Sequence, residues 1–352
     1  MRDRSIDVGR GLLVIIMVYG HVMQFFGDSQ IFPLVGDLIN IINLTVFPAF
    51  VFYFGATAVL AYLRKPYMSA LPGMIRTVLR TYAVFCLSGI GYRILRENKA
   101  FAVGTVRRVM QLTDIPGWSE FLISFALYGL LLIVGYVIFD WLSSKPFACL
   151  LVRVVCVACC EIVPYGSVPT HLALFIGGRD FSYFPIVQYM PYFLAGMLYA
   201  QGSRRLRWGL LAFSVIASLA GIAYWHFWGF PSRFPPSWGW ILLPGALVGV
   251  VVLLSRTICG LAASWLGKVI DVLCGVLGHF GGASLYYLLT SNLVLFALAG
   301  KGAGPAMARR SILPWTMPIQ SPQGAACWTA VLLIALWFAA QLSGRGKAMK
   351  KT

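Results

Sequence analysis

"RSIDVGRGLLVIIMVYGHV", residues 4–22, is an apolar run that carries Asp7 and Arg10 near one end and His21 well inside. A segment that only anchored a chain in a bilayer would put leucine at position 21, because a polar group taken into hydrocarbon is costly unless it faces a protein-lined cavity or finds a partner. Read as a helix, the steps from Arg10 to His21 turn through about 1,100°, about 20° from the same face, and rise about 16 Å. Arg10 and His21 therefore share one stripe that runs from the membrane interface to mid-depth. Asp7 lies within about 60° of Arg10 on that count, in reach of an i, i+3 pair. The plain alternative is a buried histidine satisfied by a neighbouring hydroxyl or carbonyl.

The rest of the chain agrees with a membrane helix. Of 352 residues, 59% are hydrophobic and only 11% charged, with a mean hydropathy of +0.81. A soluble domain carries about 25% charged residues. Apolar runs of about 17 to 25 residues, enough to cross roughly 30 Å of hydrocarbon, occur about ten times: at 8–27, 42–63, 75–95, 119–141, 147–164, 183–201, 207–228, 238–255, 281–299 and 325–343. The expected fold is all-α: a polytopic membrane protein of about ten transmembrane helices, forming one integral-membrane domain over 1–352. The stretch "TICGLAASWLGKVIDVLCGVLG", 257–278, is interrupted by Lys268 and Asp271 and reads as an interfacial or re-entrant helix.

An even number of spans puts both termini on one side. With the N-terminus inside, the larger share of the 28 Lys and Arg residues falls on the cytoplasmic side, among them Arg4, Arg64, Lys65, Arg204, Arg205 and the terminal "GRGKAMKKT". That bias favours a plasma, or inner, membrane protein with both ends cytoplasmic. The basic outer loop from Arg93 to Arg108 runs against the bias and suggests a surface for anionic headgroups or an acidic glycan. The net charge of +17 is spread in short runs between apolar stretches. That distribution lacks the clustered basic face on a soluble surface that nucleic acid needs, so no nucleic-acid partner is expected.

The first span has a basic start but no small-residue cleavage pattern after it, so it is expected to stay on the protein. Eight cysteines sit in apolar or inner segments without an outer pair placed for a disulfide, and "CVACC", 156–160, lacks a second pair or a nearby histidine, so it reads as packing. His171, His226 and His279 have no metal-ligand partner at i+4, and no metal site is expected. No GxSxG, P-loop or dinucleotide fingerprint stands in a credible setting.

Arginine, ten residues, then histidine, in the frame "SIDVGRGLLVIIMVYGH", resembles the signature of the acyltransferase 3 family, membrane enzymes that transfer acyl groups, commonly acetyl, onto sugars of surface polysaccharides. "FPAFVFYFGATAVLAYLRK", 47–65, is similar to the family's second span, with an aromatic run leading to Gly55 and Phe54 where a serine is usual. "IRTVLRTY", 75–82, resembles the basic start of the third, with Arg76 and Arg80 four apart rather than three. "PYFLAGMLYA" and "LGHFGGASLYYLLTSN" resemble later spans, the second without the histidine often found near Thr290. The frame "SIDVGRG" also resembles the heparan-glucosaminide N-acetyltransferase relatives, and "SEFLISFALYGLLL" resembles a branch that succinylates periplasmic glucans. All three resemblances imply acyl transfer from a cytoplasmic thioester. The expected donor is acyl-CoA, most simply acetyl-CoA. The expected acceptor is a hydroxyl of a glycan or glycolipid, and the lipid bilayer is the other partner.

That chemistry needs a base for the hydroxyl proton and a positive group for the anionic donor or the oxyanion. His21 is the candidate base, or the carrier of the acyl group between the two faces, and its ordinary pKa near 6.5 suits either role. Arg10 is the candidate catalytic cation. Arg10, Arg76 and Arg80, with Asp7 beside them, are the candidate donor site, since guanidinium forks match the phosphates of coenzyme A. Positive-inside anchoring explains Arg76 and Arg80 equally well. Glu120 is a candidate to orient the histidine or bind a sugar hydroxyl, or is simply a helix-start acid. Glu161 and Arg153 read as a tie between spans. The tryptophan-rich "YWHFWGFPSRFPPSWGW", 224–240, reads as a sugar-stacking loop or an interfacial aromatic belt.

The rival class is a secondary transporter of a small or anionic solute, which shares the many spans and sparse buried charges. The sequence shows neither the internal symmetry nor the paired Gly/Pro-broken spans in matching halves expected of one.

Overall fold

The computed structural model describes residues 3–27, 33–179, 184–262, 267–299, 319 and 321–342. Within these the chain is helical and no β-strand occurs. The helices are α1 (Arg4–Phe26), α2 (Val35–Ala58), α3 (Tyr67–Gly91), α4 (Val103–Met110), α5 (Glu120–Val134), α6 (Tyr136–Ser144), α7 (Pro146–Ile162), α8 (Thr170–Ile176), α9 (Ile186–Gln201), α10 (Arg204–Trp228), α11 (Trp238–Leu242), α12 (Gly245–Leu261), α13 (Gly267–Gly282), α14 (Ser284–Ala299) and α15 (Pro322–Leu342). One π-helical turn extends α2 over Val59–Leu63, and another extends α3 over Tyr92–Arg96.

Each apolar run of the sequence falls on helix, but the spans are less uniform than the runs. Among the described residues, six helices, counting α2 and α3 with their π turns and α11 with α12 as one, are long and apolar enough to cross a membrane; two bent pairs raise the number to eight. The run 119–141 is not one rod. It breaks at Gly135 into α5 and α6, bent by 89°. The run 281–299 is the second half of another pair, α13 and α14, bent by 75° around Ala283. A break inside an unbroken apolar run leaves no compositional trace, and this is why the sequence reads straight through Gly135; the second break falls where the run 281–299 adjoins 257–278, the stretch that Lys268 and Asp271 set apart as interfacial or re-entrant. Two bent pairs thus stand where no paired broken spans were expected. The stretch 257–278 likewise divides between the end of α12 and most of α13. The basic tail 344–352 lies outside the described residues.

The chain sorts into two compact units, each built from separated segments: one holds 47–85 and 119–254, the other 3–46, 86–118 and 255–352. In the first, α9 is the central helix, buried at every residue from Ile186 to Ala200 except Val187. Its sequence carries no charge and is apolar around nearly its whole circumference, as a buried helix requires. A Cβ on Gly55 would collide with the carbonyl of Phe193, and one on Gly196 with that of Phe52, so glycine lets α2 and α9 meet backbone to backbone. Buried hydroxyls are tied to the chain: Tyr128 donates to the Ile186 carbonyl at 2.9 Å and Tyr192 to that of Ile241 at 2.6 Å.

In the second unit α1 is the central helix, packed against α13, α14 and α15. Asp3 caps it, accepting from the Ser5 amide at 3.0 Å. Gly11 faces the Leu277 backbone and Gly281 faces that of Asp7, so α1 and α13 touch along their main chains. At their ends Arg4 pairs with Asp271 at 2.5 Å.

Candidate functional site

α1 carries His21, Arg10 and Asp7 into the second unit. His21 is buried, and its Nδ1 lies 2.8 Å from Oδ1 of Asn292 on α14. Asn292 in turn donates from Nδ2 to the carbonyl of Trp118 at 3.1 Å. That second bond settles the first. The amide that gives its N–H to a carbonyl must point its oxygen at the ring, and an amide oxygen only accepts. Nδ1 of His21 therefore carries the hydrogen, and in the neutral ring Nε2 holds the lone pair. Trp118 closes the circuit by donating from Nε1 to Oε1 of Gln24 at 2.8 Å, one turn beyond His21 on α1.

Aromatic rings wall this network. Phe25 lies 5.0 Å from Trp118 and 5.9 Å from Phe296, and Tyr92 stacks on Trp118 at 5.7 Å. The buried Arg96 sits 5.4 Å over the Phe25 ring and reaches the carbonyl of Ala299, the last residue of α14, at 3.4 Å. A cation at a helix C-terminus is favoured by the dipole, and the ring face adds to it.

Arg10, half-buried, donates from Nη2 to Oγ of Ser284 at 2.7 Å. Ser284 opens α14 at the bend, so the two polar residues of the α1 stripe both meet α14, at Ser284 and at Asn292. The half-buried Asp7 occupies the turn before Arg10, its carbonyl closed over by Gly281.

The remaining candidates belong to the first unit. Arg76 and Arg80 are exposed on α3. Glu120 is the first residue of α5, where an acid favours the helix start. It also acts on Arg233, whose guanidinium burial pushes below its ordinary range, while the charges of Tyr189 and Glu120 oppose that shift. Arg233 itself is packed over the rings of Phe184, Phe234 and Trp240 at 5.2, 4.4 and 6.0 Å. Part of the tryptophan-rich loop thus packs on a cation of its own.

Asn292, Gln24, Trp118 and Ser284 were not among the sequence candidates. Only Asn292 left a signal: the polar run Thr290–Ser291–Asn292 inside an apolar stretch. The basic outer loop is also partly spoken for. Arg93 forms a two-pronged pair with Asp114 and pairs with Glu97, which Lys99 meets at 3.0 Å. All eight cysteines are free thiols.

No protein-family model matches the chain, and no curated protein matches it.

Proposed function

We propose that the chain is an integral-membrane acyltransferase, with about ten spans and both termini cytoplasmic, that moves an acyl group, most simply acetyl, from cytoplasmic acyl-CoA to a hydroxyl of a surface or periplasmic glycan. The observation that carries this reading is the fixed tautomer of a buried histidine: Asn292 holds Nδ1–H, so Nε2 is the basic nitrogen. A histidine kept only for packing has no need of a one-way network. A general base does, because the nitrogen that takes the proton must be the one facing the substrate.

In the proposed reaction Nε2 of His21 takes the proton of the acceptor hydroxyl as its oxygen attacks the thioester carbonyl. The tetrahedral intermediate collapses, the carbon–sulfur bond breaks, and the imidazolium returns the proton to the departing thiolate. The products are the sugar ester and free coenzyme A. Arg10 lies about 16 Å along α1 from His21, too far to meet the same reacting atom. Its part is to bind the distal end of the donor, and this long, thin spacing suits a thioester whose phosphates and carbonyl are far apart.

The test is His21→Asn in purified protein, with His21→Ala beside it. The amide keeps a hydrogen-bonding group of similar reach but cannot take the proton. Transfer to the acceptor should fall about a hundredfold or more, the scale of a lost general base, with folding intact. Activity within a few-fold of the parent would return His21 to a packing role.

A further inference from the structure

The first unit contains a cavity of about 580 Å³ walled by α7, α9, α10, α11 and α12, with Phe52 of α2 at its edge. Its size falls within the roughly 300–1,000 Å³ of small-ligand sites. The lining is almost wholly apolar: Val157, Tyr192, Ala217 and Gly249 are typical. Two charged residues interrupt it, Arg153 and Glu161, both on α7.

Arg153 is the unexplained group. It stands near the middle of α7, its guanidinium 5.1 Å over the Phe213 ring. Its Nε is buried without a hydrogen-bond partner, and among the described residues it forms no ion pair. Glu161 lies about 12 Å further along the helix and does not neutralise it. A ring face compensates a buried cation only in part. A buried guanidinium in an apolar wall is costly until an anion meets it.

We infer that this cavity binds a single-chain anionic amphiphile, its hydrocarbon tail along the apolar walls and its carboxylate or phosphate on Arg153. Charge complementarity with Arg153 sets the head, and the otherwise apolar walls set the tail. Arg153 has apolar lining on both sides of it along α7, Leu150 before and Val154 and Val157 after, which favours one slim chain over a two-chain phospholipid. The inference stands on Arg153 and the cavity, and does not depend on His21.

The probe is palmitate bearing a diazirine in its chain, with the matching diazirine hexadecanol as the uncharged control, applied to the full chain in phosphatidylcholine nanodiscs. Palmitate should label peptides of α7, α10 and α12 at least tenfold more than hexadecanol does. Arg153→Met, which replaces the charge with an apolar chain of similar length and should fold, should abolish that preference; Arg153→Lys should retain most of it. Ala217→Phe, which fills the cavity and leaves Arg153 in place, should cut labelling by the same factor. Equal labelling by the acid and the alcohol, or labelling unchanged in Arg153→Met, would overturn the inference. So would displacement of the probe by dioleoylphosphatidylglycerol as readily as by unlabelled palmitate, which would make the occupant an ordinary membrane lipid.

Discussion

Nδ1 of His21 and Oδ1 of Asn292, residues 271 positions apart in the chain, meet at 2.8 Å and join α1 to α14. Because Asn292 is itself oriented by the Trp118 carbonyl, the contact fixes the protonation pattern of the ring as well as its position. On the proposed acyltransferase reading, removing the amide should therefore lower transfer while leaving His21 in place. Asn292→Leu is expected to lower transfer on the order of tenfold to a hundredfold, the range found for lost orienting partners of metal-bound histidines, and Asn292→Gln to recover part of it. Rates for the purified variants, with thermal melts to show that they fold, decide this. A parental rate for Asn292→Leu would mean that the tautomer does not matter.

The proposed donor contacts are tested separately in each unit. On that reading Arg10→Ala in the second unit, and Arg76→Ala and Arg80→Ala in the first, each weaken acyl-CoA binding in isolated protein, and Arg10→Lys should rescue only partly, since it keeps the charge and loses the fork. Ser284→Ala should have a smaller effect of the same sign, because Arg10 loses a 2.7 Å partner and not its charge. Calorimetric titration with acetyl-CoA reads all five. Unchanged affinity at Arg76 and Arg80 would leave those two as membrane anchors.

The contact between α1 and α13 predicts a sharp contrast among glycines. A Cβ at Gly11 or Gly281 meets backbone, which cannot step aside, whereas at Gly275 on the same α13 nothing lies within 4 Å. Gly11→Ala and Gly281→Ala should each cost about 1–3 kcal/mol by overpacking, and the double variant less than their sum because they crowd one seam. Gly275→Ala should be neutral or stabilising by up to about 1 kcal/mol from helix propensity. Denaturation in detergent that ranked the three alike would refute the close approach.

Acid should loosen the loop that follows α3. Burial pushes the Glu97 carboxyl up, but hydrogen bonds from Arg93 and Lys99 outweigh it and hold the group below its ordinary range. A carboxyl lowered by folding contributes stability that is present above its unfolded pKa of about 4.3 and is lost as pH falls through the folded value. The contribution is modest, within about 1 kcal/mol, because the group is partly solvated. Parent and Glu97→Gln should therefore differ in stability at pH 7 and converge below about pH 4. A difference that persists at low pH would assign the effect to packing.

The sequence made the helices and the Arg10–His21 stripe legible for the same reason: both depend on spacing within one segment. The unbroken apolar length of 8–27 or 207–228 needs no partner to be read, and eleven residues fix a face by helix geometry alone. The break at Gly135 was hidden because the residues on both sides are equally apolar, so bending changes neither composition nor period, whereas Lys268 and Asp271 already set 257–278 apart from the run 281–299. The partners of the stripe were hidden for a different reason. Nothing in residues 4–22 says that Ser284 and Asn292 will stand beside them, since that pairing arises only when α14 packs on α1. Glu120 stood out by its charge in an apolar setting, but a charge alone does not say which unit it will join.

The group behind His21 is an amide, and an amide oxygen that accepts a hydrogen bond does not pass a proton onward as water, a carboxylate or a second imidazole would. The circuit through Asn292, Trp118 and Gln24 is thus a dead end for protons, returning to α1 without an ionisable link. Any proton that reaches Nε2 has to leave by Nε2. Along this route His21 can borrow and repay a proton within one reaction, but it cannot serve as a station on a wire between the two faces of a membrane.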